Sequence, residues 1–186
     1  MESFFSPLIY KPKVLFIGIN PGGGEDEVFD CDYDKGELEY LHNDYTLAKE
    51  TKKVFKLADR YELLFKSVKT NYYYLGTSDY NEIFQITNFL GRGKNDLGEK
   101  FLLKSREWTK LLIEIIEPEL IICEGKEAYA LVTDLFMQKI KMEQDVEQIY
   151  ADEIKANIIG YKRVGRSYIK NKTKLAATIA NLINEG

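Results

Sequence analysis

The stretch VLFIGINPGGGEDEVFD, Val14 to Asp30, decides how the chain is read. Its first part, VLFIGI, is apolar without alternation, which is the pattern of a parallel strand covered on both faces. Pro21 ends that strand because it has no N–H to donate and biases Asn20 towards an extended backbone. Gly22, Gly23 and Gly24 permit positive φ and a close approach of the backbone to a ligand. The Asn20 amide at the strand tip can both accept and donate hydrogen bonds, which suits positioning a water or a polar ring. The alternative, that Asn20 caps a turn and the glycines simply make it, stays open. A phosphate loop is not indicated: G-x-x-x-x-G-K-[ST] is missing, and Glu25, Asp26 and Glu27 would repel an anion.

Three further apolar runs read as strands outward from this one: IFQIT (Ile83 to Thr87), LIIC (Leu120 to Cys123) and NIIGY (Asn157 to Tyr161). Helical periodicity lies between them. Tyr45 to Ser67 carries Leu47, Val54, Leu57, Tyr61, Leu64 and Phe65 on one stripe, and Ser105 to Ile116 is expected to bury Trp108, Leu111, Leu112 and Ile115. Lys126 to Ile140 and Asn171 to Ile183 complete the set. Alternating strands and helices predict one three-layer α/β/α sandwich with a mainly parallel central sheet, spanning residues 1–186. In such sheets ligands bind where loops leave the carboxyl ends of the strands, and the Asn20 loop is one of them.

Composition sets the surroundings. With 186 residues, 45% of them hydrophobic and 13% aromatic, the chain can bury one core without disulfides or structural metal. Cys31 and Cys123 lie far apart and form no C-x-x-C pair, which fits a reducing cytoplasm. The opening MESFFSPLIYKPK lacks a basic segment followed by an apolar one, and no apolar run approaches the roughly 18 residues of a membrane span. A soluble, cytoplasmic protein without a membrane partner is expected. The formal net charge of −4 gives no general attraction for a polyanion, so contact with nucleic acid would need a local basic patch.

LFIGINPGGG, FQITNFLG, EPELIICEGKEAYALV and the C-terminal strand, loop and helix together resemble the uracil-DNA glycosylase superfamily. The likeness runs from about Val14 to the last helix, around a divergent segment between roughly Phe29 and Tyr80. GINPG is similar to the first motif of the mismatch-specific and single-strand-selective branches, where asparagine replaces an aspartate. EPELIICEGKEAY looks like a strand and helix that mark the fold and not the chemistry. The resemblance implies a DNA glycosylase that hydrolyses the N-glycosidic bond of a damaged base, uracil by default, in base-excision repair. Asn20 would then orient the attacking water, and Ile19, Pro21, Gly22 and Gly23 would shape the base pocket. Asn88 matches a Thr-Asn at the end of a central strand, with a cap at a strand end as the other reading. Phe29, Tyr33 and Phe89 are candidates for a wall that stacks on a flipped base.

The chain departs from that pattern at the second motif. His-Pro-Ser or Asn-Pro-Ser is usual there, but this segment reads YKRVGRSYIKN, which puts Arg166 and Ser167 in the place of the residues that assist the departing base. Arg166 could stabilise an anionic leaving group through charge-assisted hydrogen bonds, or bind phosphate and do no chemistry. Lys162, Arg163, Arg166, Lys170, Lys172 and Lys174 form a basic cluster, with Lys162, Arg163, Lys170 and Lys172 as phosphate-binding candidates and Tyr161 and Tyr168 as stacking faces. No metal site or iron–sulfur cluster is expected from one histidine, His42, and two separated thiols, and no cofactor is implied. DNA carrying a damaged base is the expected partner. The competing function is the same fold without the reaction: a protein that binds nucleic acid, a nucleotide or another protein.

Overall fold

The computed structural model describes residues 6, 8–19, 37–74, 77, 80–91, 96–136, 139–165 and 167–183. Strand β1 (Val14–Gly18) is followed by α1 (Glu39–His42), α2 (Thr46–Leu57), a 3-10 turn at Tyr61–Lys66 and β2 (Ser67–Asn71). Next come α3 (Tyr80–Leu90), α4 (Leu97–Ile116), β3 (Leu120–Cys123) and α5 (Lys126–Phe136). The chain continues through β4 (Val146–Ala151), β5 (Ala156–Tyr161), the short β6 (Arg163–Val164) and β7 (Tyr168–Ile169), and α6 (Lys172–Leu182).

Five strands form one sheet in the order β2-β1-β3-β5-β4. The β2–β1, β1–β3 and β3–β5 pairs are parallel, and β4 pairs antiparallel with β5 at the edge. Side chains alternate between the two faces of the sheet, as the pleat requires. Val14, Phe16, Ile122 and Ile159 join one core with Val54, Phe55, Leu175 and Ile179 from α2 and α6. Leu15, Ile17, Ile121 and Ile158 join a second core with Ile83, Ile113, Tyr129 and Val132 from α3, α4 and α5. The molecule is therefore an α/β protein with a mostly parallel central sheet and helices against it, an arrangement compatible with a three-layer sandwich.

Four expectations need correction. IFQIT is not a strand: Ile83 and Thr87, four residues apart, are the buried positions of helix α3, and the rest of the segment points outward or lies half-buried. The second outer strand position belongs to SVKTN, which is buried along its whole length although only Val68 is apolar. The helix expected through Ser67 ends at Leu57, which leaves Leu57 and Phe65 exposed. Helix α4 turns Ser105, Thr109, Ile113 and Ile116 inward, while Trp108, Leu111 and Ile115 are more than half exposed. Small residues at 105 and 109 let α4 lie close to the rest of the fold, and the Thr109 hydroxyl reaches the Tyr72 carbonyl at 3.4 Å.

The helix ends have local causes. Asp96 caps α4 by accepting a hydrogen bond from the Glu99 N–H at 3.0 Å, and Asn171 caps α6 by accepting one from Lys174 N–H at 3.0 Å. Pro118 follows Glu117, which holds a left-handed φ of 49° at the end of α4. The edge strand β2 is tied down by the Ser6 hydroxyl, which accepts from Lys69 N–H at 2.9 Å.

Candidate functional site

Because four strands run parallel, Gly18, Asn71, Cys123 and Tyr161 all end at one edge of the sheet. Register places Gly18 opposite Asn71, Ile17 opposite Cys123, and Cys123 opposite Gly160. The chain keeps its pairing just beyond: Tyr72 N–H donates to Gly18 O at 2.9 Å, Tyr73 N–H to Ile19 O at 2.8 Å, and Glu124 N–H to Ile17 O at 2.9 Å. The two-residue period carries the direction of Phe16 on to Gly18, of Lys69 to Asn71, of Ile122 to Glu124 and of Ile159 to Tyr161. One row of side chains thus runs across the carboxyl edge on the α1/α2 side, with a glycine in its middle.

Gly18 leaves the space that its neighbours fill. A Cβ there would lie 2.3 Å from Asn71 Oδ1 and 3.2 Å from Glu124 Oε2. Two acceptor oxygens therefore converge above the Gly18 backbone. Asn71 and Glu124 are each 3% exposed. Glu124 uses Oε1 to accept a hydrogen bond from the Tyr40 phenol, and Tyr40 is fully buried. Burial, with the Glu124 charge next, holds the Tyr40 and Tyr161 phenols and the Cys123 thiol well above their ordinary pKa values, so all three stay protonated at neutral pH.

An ion pair supports this row from beneath. Lys69 Nζ pairs with Glu39 Oε1, and the Tyr45 phenol donates to the same oxygen at 2.6 Å. The ammonium also lies 4.5 Å from the centre of the Tyr40 ring. Glu39 Oε2 has no hydrogen-bond partner among the described residues. Burial, with Glu39 next, pushes the Tyr45 phenol far above its ordinary value. Lys69 and Glu39 cancel one another, whereas Glu124 has no cationic partner at salt-bridge distance among the described residues.

Arg163 stands at the rim. Gly125, at φ 121°, would bring a Cβ to 3.3 Å from Arg163 Nε and 3.4 Å from one of its terminal nitrogens, so the guanidinium lies against the turn that opens α5. No side-chain partner neutralises Arg163 among the described residues. The other basic candidates are engaged locally. Lys162 Nζ donates to Glu143 O at 2.5 Å, Lys170 pairs with Asp145 at 2.9 Å, and Lys172 pairs with Glu50 at 2.6 Å. Lys174 Nζ donates to Gln144 at 2.5 Å.

The residues named from sequence are distributed unevenly about this edge. Ile19 is buried at the end of β1, and Ser167 is half-buried beside β7. Asn88 and Phe89 are exposed on α3, so Thr87–Asn88 does not end a strand; a Thr-Asn pair does end the edge strand β2, at Thr70–Asn71. Asn20, Pro21, Gly22, Gly23, Phe29, Tyr33 and Arg166 lie outside the described residues. His42 pairs with Glu37 at 2.7 Å. Sequence reasoning missed Asn71 and Glu124. The signal was available: each is a polar residue directly at the end of a buried parallel strand.

Among the described residues no group of three or more His, Cys, Asp or Glu side chains could hold a metal ion. No described helix is long and apolar enough to cross a membrane. No family model matches the chain, and no curated protein matches it.

Proposed function

We propose that the protein is a DNA glycosylase-type hydrolase acting on the N-glycosidic bond of a damaged base, with uracil as the first base to test. The observation that supports this reading is the meeting of Gly18, Asn71 and Glu124 at the carboxyl edge of β1, β2 and β3. Asn20 follows Ile19 directly in the chain that leaves this edge, as the resemblance to the uracil-DNA glycosylase superfamily requires. In the reaction, water adds to the anomeric carbon while the bond from that carbon to the base nitrogen breaks. The bond's electron pair leaves with the base, the added water releases one proton to solvent, and the base anion takes a proton from solvent, so that water is consumed and the free base and the sugar hydroxyl are formed. Asn20 would orient the water. Arg163 at the rim, or Arg166 with Ser167, would stabilise the negative charge developing on the base.

A second reading is favoured by one observation: Lys162, Lys170, Lys172 and Lys174 all have local partners, which weakens the case for a DNA backbone across this surface. On that reading the site binds a nucleotide or a protein partner without breaking a bond. Oligonucleotides carrying uracil, hypoxanthine or xanthine, single-stranded and duplex, separate the two. Alkali-labile strand cleavage supports the hydrolase, and intact strands with every base leave the binding protein.

A further inference from the structure

We propose that the outer face of α4 is the interface through which two copies of this chain pair antiparallel, with Trp108 near its centre.

The seam is visible in the helix itself. Leu97, Phe101, Lys104, Trp108, Leu111 and Ile115 follow one another at alternating steps of four and three residues, the spacing of a coiled-coil seam. Leu97, Trp108, Leu111 and Ile115 are each more than half exposed, while Ser105, Thr109 and Ile113 turn into the fold. The apolar stripe therefore does not serve the core of its own chain. Tyr74 flanks it, with its ring centre 6.0 Å from that of Trp108, and widens the apolar surface at the middle of the helix. At 20 residues α4 is about 30 Å long, enough for six layers of facing side chains.

The charges on the helix choose both the partner and the direction. A parallel, in-register pair would set Lys104 against Lys104 of the second copy inside the seam. An antiparallel pair sets Lys104 against the Trp108 ring, a favourable cation–π arrangement, Phe101 against Leu111, and Leu97 against Ile115. The exposed flank beside the seam, Lys100, Glu107 and Glu114, then matches as well. Lys100 meets Glu114 of the second copy, and by symmetry Glu114 meets its Lys100. At the two-fold axis Glu107 faces Glu107, each beside its own Lys104 at 2.5 Å, so the four charges cancel. A face complementary to itself when reversed fits a second copy of this chain, whereas a lipid surface favours basic residues on the polar flank.

Sedimentation equilibrium of the full chain tests this. Over concentrations from about 1 to 100 µM, the range of a modest interface, the mass should rise to twice that of the chain. Trp108 is the one tryptophan in the sequence, so its fluorescence should move to shorter wavelength over the same range. Trp108→Glu should weaken pairing by at least about 30-fold, the scale of a central aromatic anchor. Lys100→Glu and Glu114→Lys each set like charges together twice per dimer, and each should weaken pairing about tenfold. Mixing these two single variants should restore pairing as a heterodimer, and the double variant should pair with itself. This exchange decides the matter alone if Trp108→Glu does not fold. A monomer at every concentration, a dimer indifferent to Trp108→Glu in its folded form, or charge variants that do not rescue one another would overturn the inference.

Discussion

Asn71 Oδ1 occupies space that a side chain at Gly18 would need, since a Cβ on that residue would sit only 2.3 Å from it. Real Cβ atoms do not tolerate such a contact, so Gly18→Ala must displace the Asn71 amide. The displaced group is the end of a side chain and not backbone, so folding should survive at a cost of about 1–3 kcal/mol, typical of overpacking. Loss of ligand should be the larger effect. Urea denaturation and nucleoside titration on the same preparation check this, and wild-type affinity in Gly18→Ala would remove the Gly18 edge as the site.

Stability should fall at alkaline pH because several tyrosines are buried. Tyr40, Tyr45 and Tyr161 are held above the ordinary value of 10.0, chiefly by burial, and Tyr72 is pushed up to about 12 by burial despite the opposing pull of Arg106. Their pKa values are raised in the folded state, so the unfolded chain releases these protons first as pH rises through 10. The contribution is complete below pH 10 and is lost progressively above it. Each tyrosine that stays protonated only in the folded state removes about 1.4 kcal/mol per pH unit in that range. Urea midpoints that are level to about pH 9 and then drop steeply are expected. A midpoint unchanged at pH 11 would mean these phenols are not buried as described.

The strands β1, β3 and β5 were legible in the sequence because parallel strands under helices on both faces must be apolar at every position. The same rule misled at Ile83–Thr87, a short apolar run whose burial is that of one helical face, with Ile83 and Thr87 inward. It also hid β2, since Lys69 and Asn71 are polar yet buried, Lys69 through its pairing with Glu39. Edge strand β4 alternates, buried at Val146 and Ala151 and more open between, which no unbroken apolar run announces. For α4 the largest hydrophobics were expected inward, but Trp108, Leu111 and Ile115 are more than half exposed, while Ser105 and Thr109 are buried. Glu124 escaped notice because it sits inside a segment read as a mark of the fold, where its chemistry depends on Gly18 and Tyr40, far away in sequence.

Lys172 should matter more for stability than for binding phosphate. Its ammonium meets Glu50, a carboxylate in the core-facing part of α2, at 2.6 Å. Burial alone would raise the Glu50 pKa, but hydrogen bonds and charge from Lys172 and then Lys53 outweigh it and hold the carboxyl below its ordinary range. Lys172→Met should therefore cost about 1–3 kcal/mol near pH 7, between the values of exposed and buried pairs. A depressed carboxyl pKa stabilises above the unfolded value of 4.5, and that contribution is lost as pH falls through the lower folded value. The difference between wild type and Lys172→Met should consequently shrink on acidification below about pH 4. A gap that persists unchanged at low pH would assign the effect to packing of the lysine stem and not to charge.

The hydrolase and binding readings give Asn20 different work, and the arginines supply the control. If Asn20 orients the attacking water, Asn20→Ala should leave folding and DNA affinity nearly intact and lower single-turnover cleavage by about 10²-fold or more, roughly 3 kcal/mol of transition-state stabilisation. If it only caps the turn after β1, the same change should cost about 1 kcal/mol of stability and spare activity in the folded fraction. Arg163→Ala and Arg166→Ala then ask which guanidinium assists the leaving base. Arg163 lies against the Gly125 turn, beside Glu124, and its positive charge is felt at Tyr161, so its removal should reduce cleavage without changing the salt dependence of DNA binding. Loss of affinity with a shallower salt slope would instead make Arg163 a phosphate contact. Should Arg166→Ala alone abolish cleavage, the role falls to Arg166.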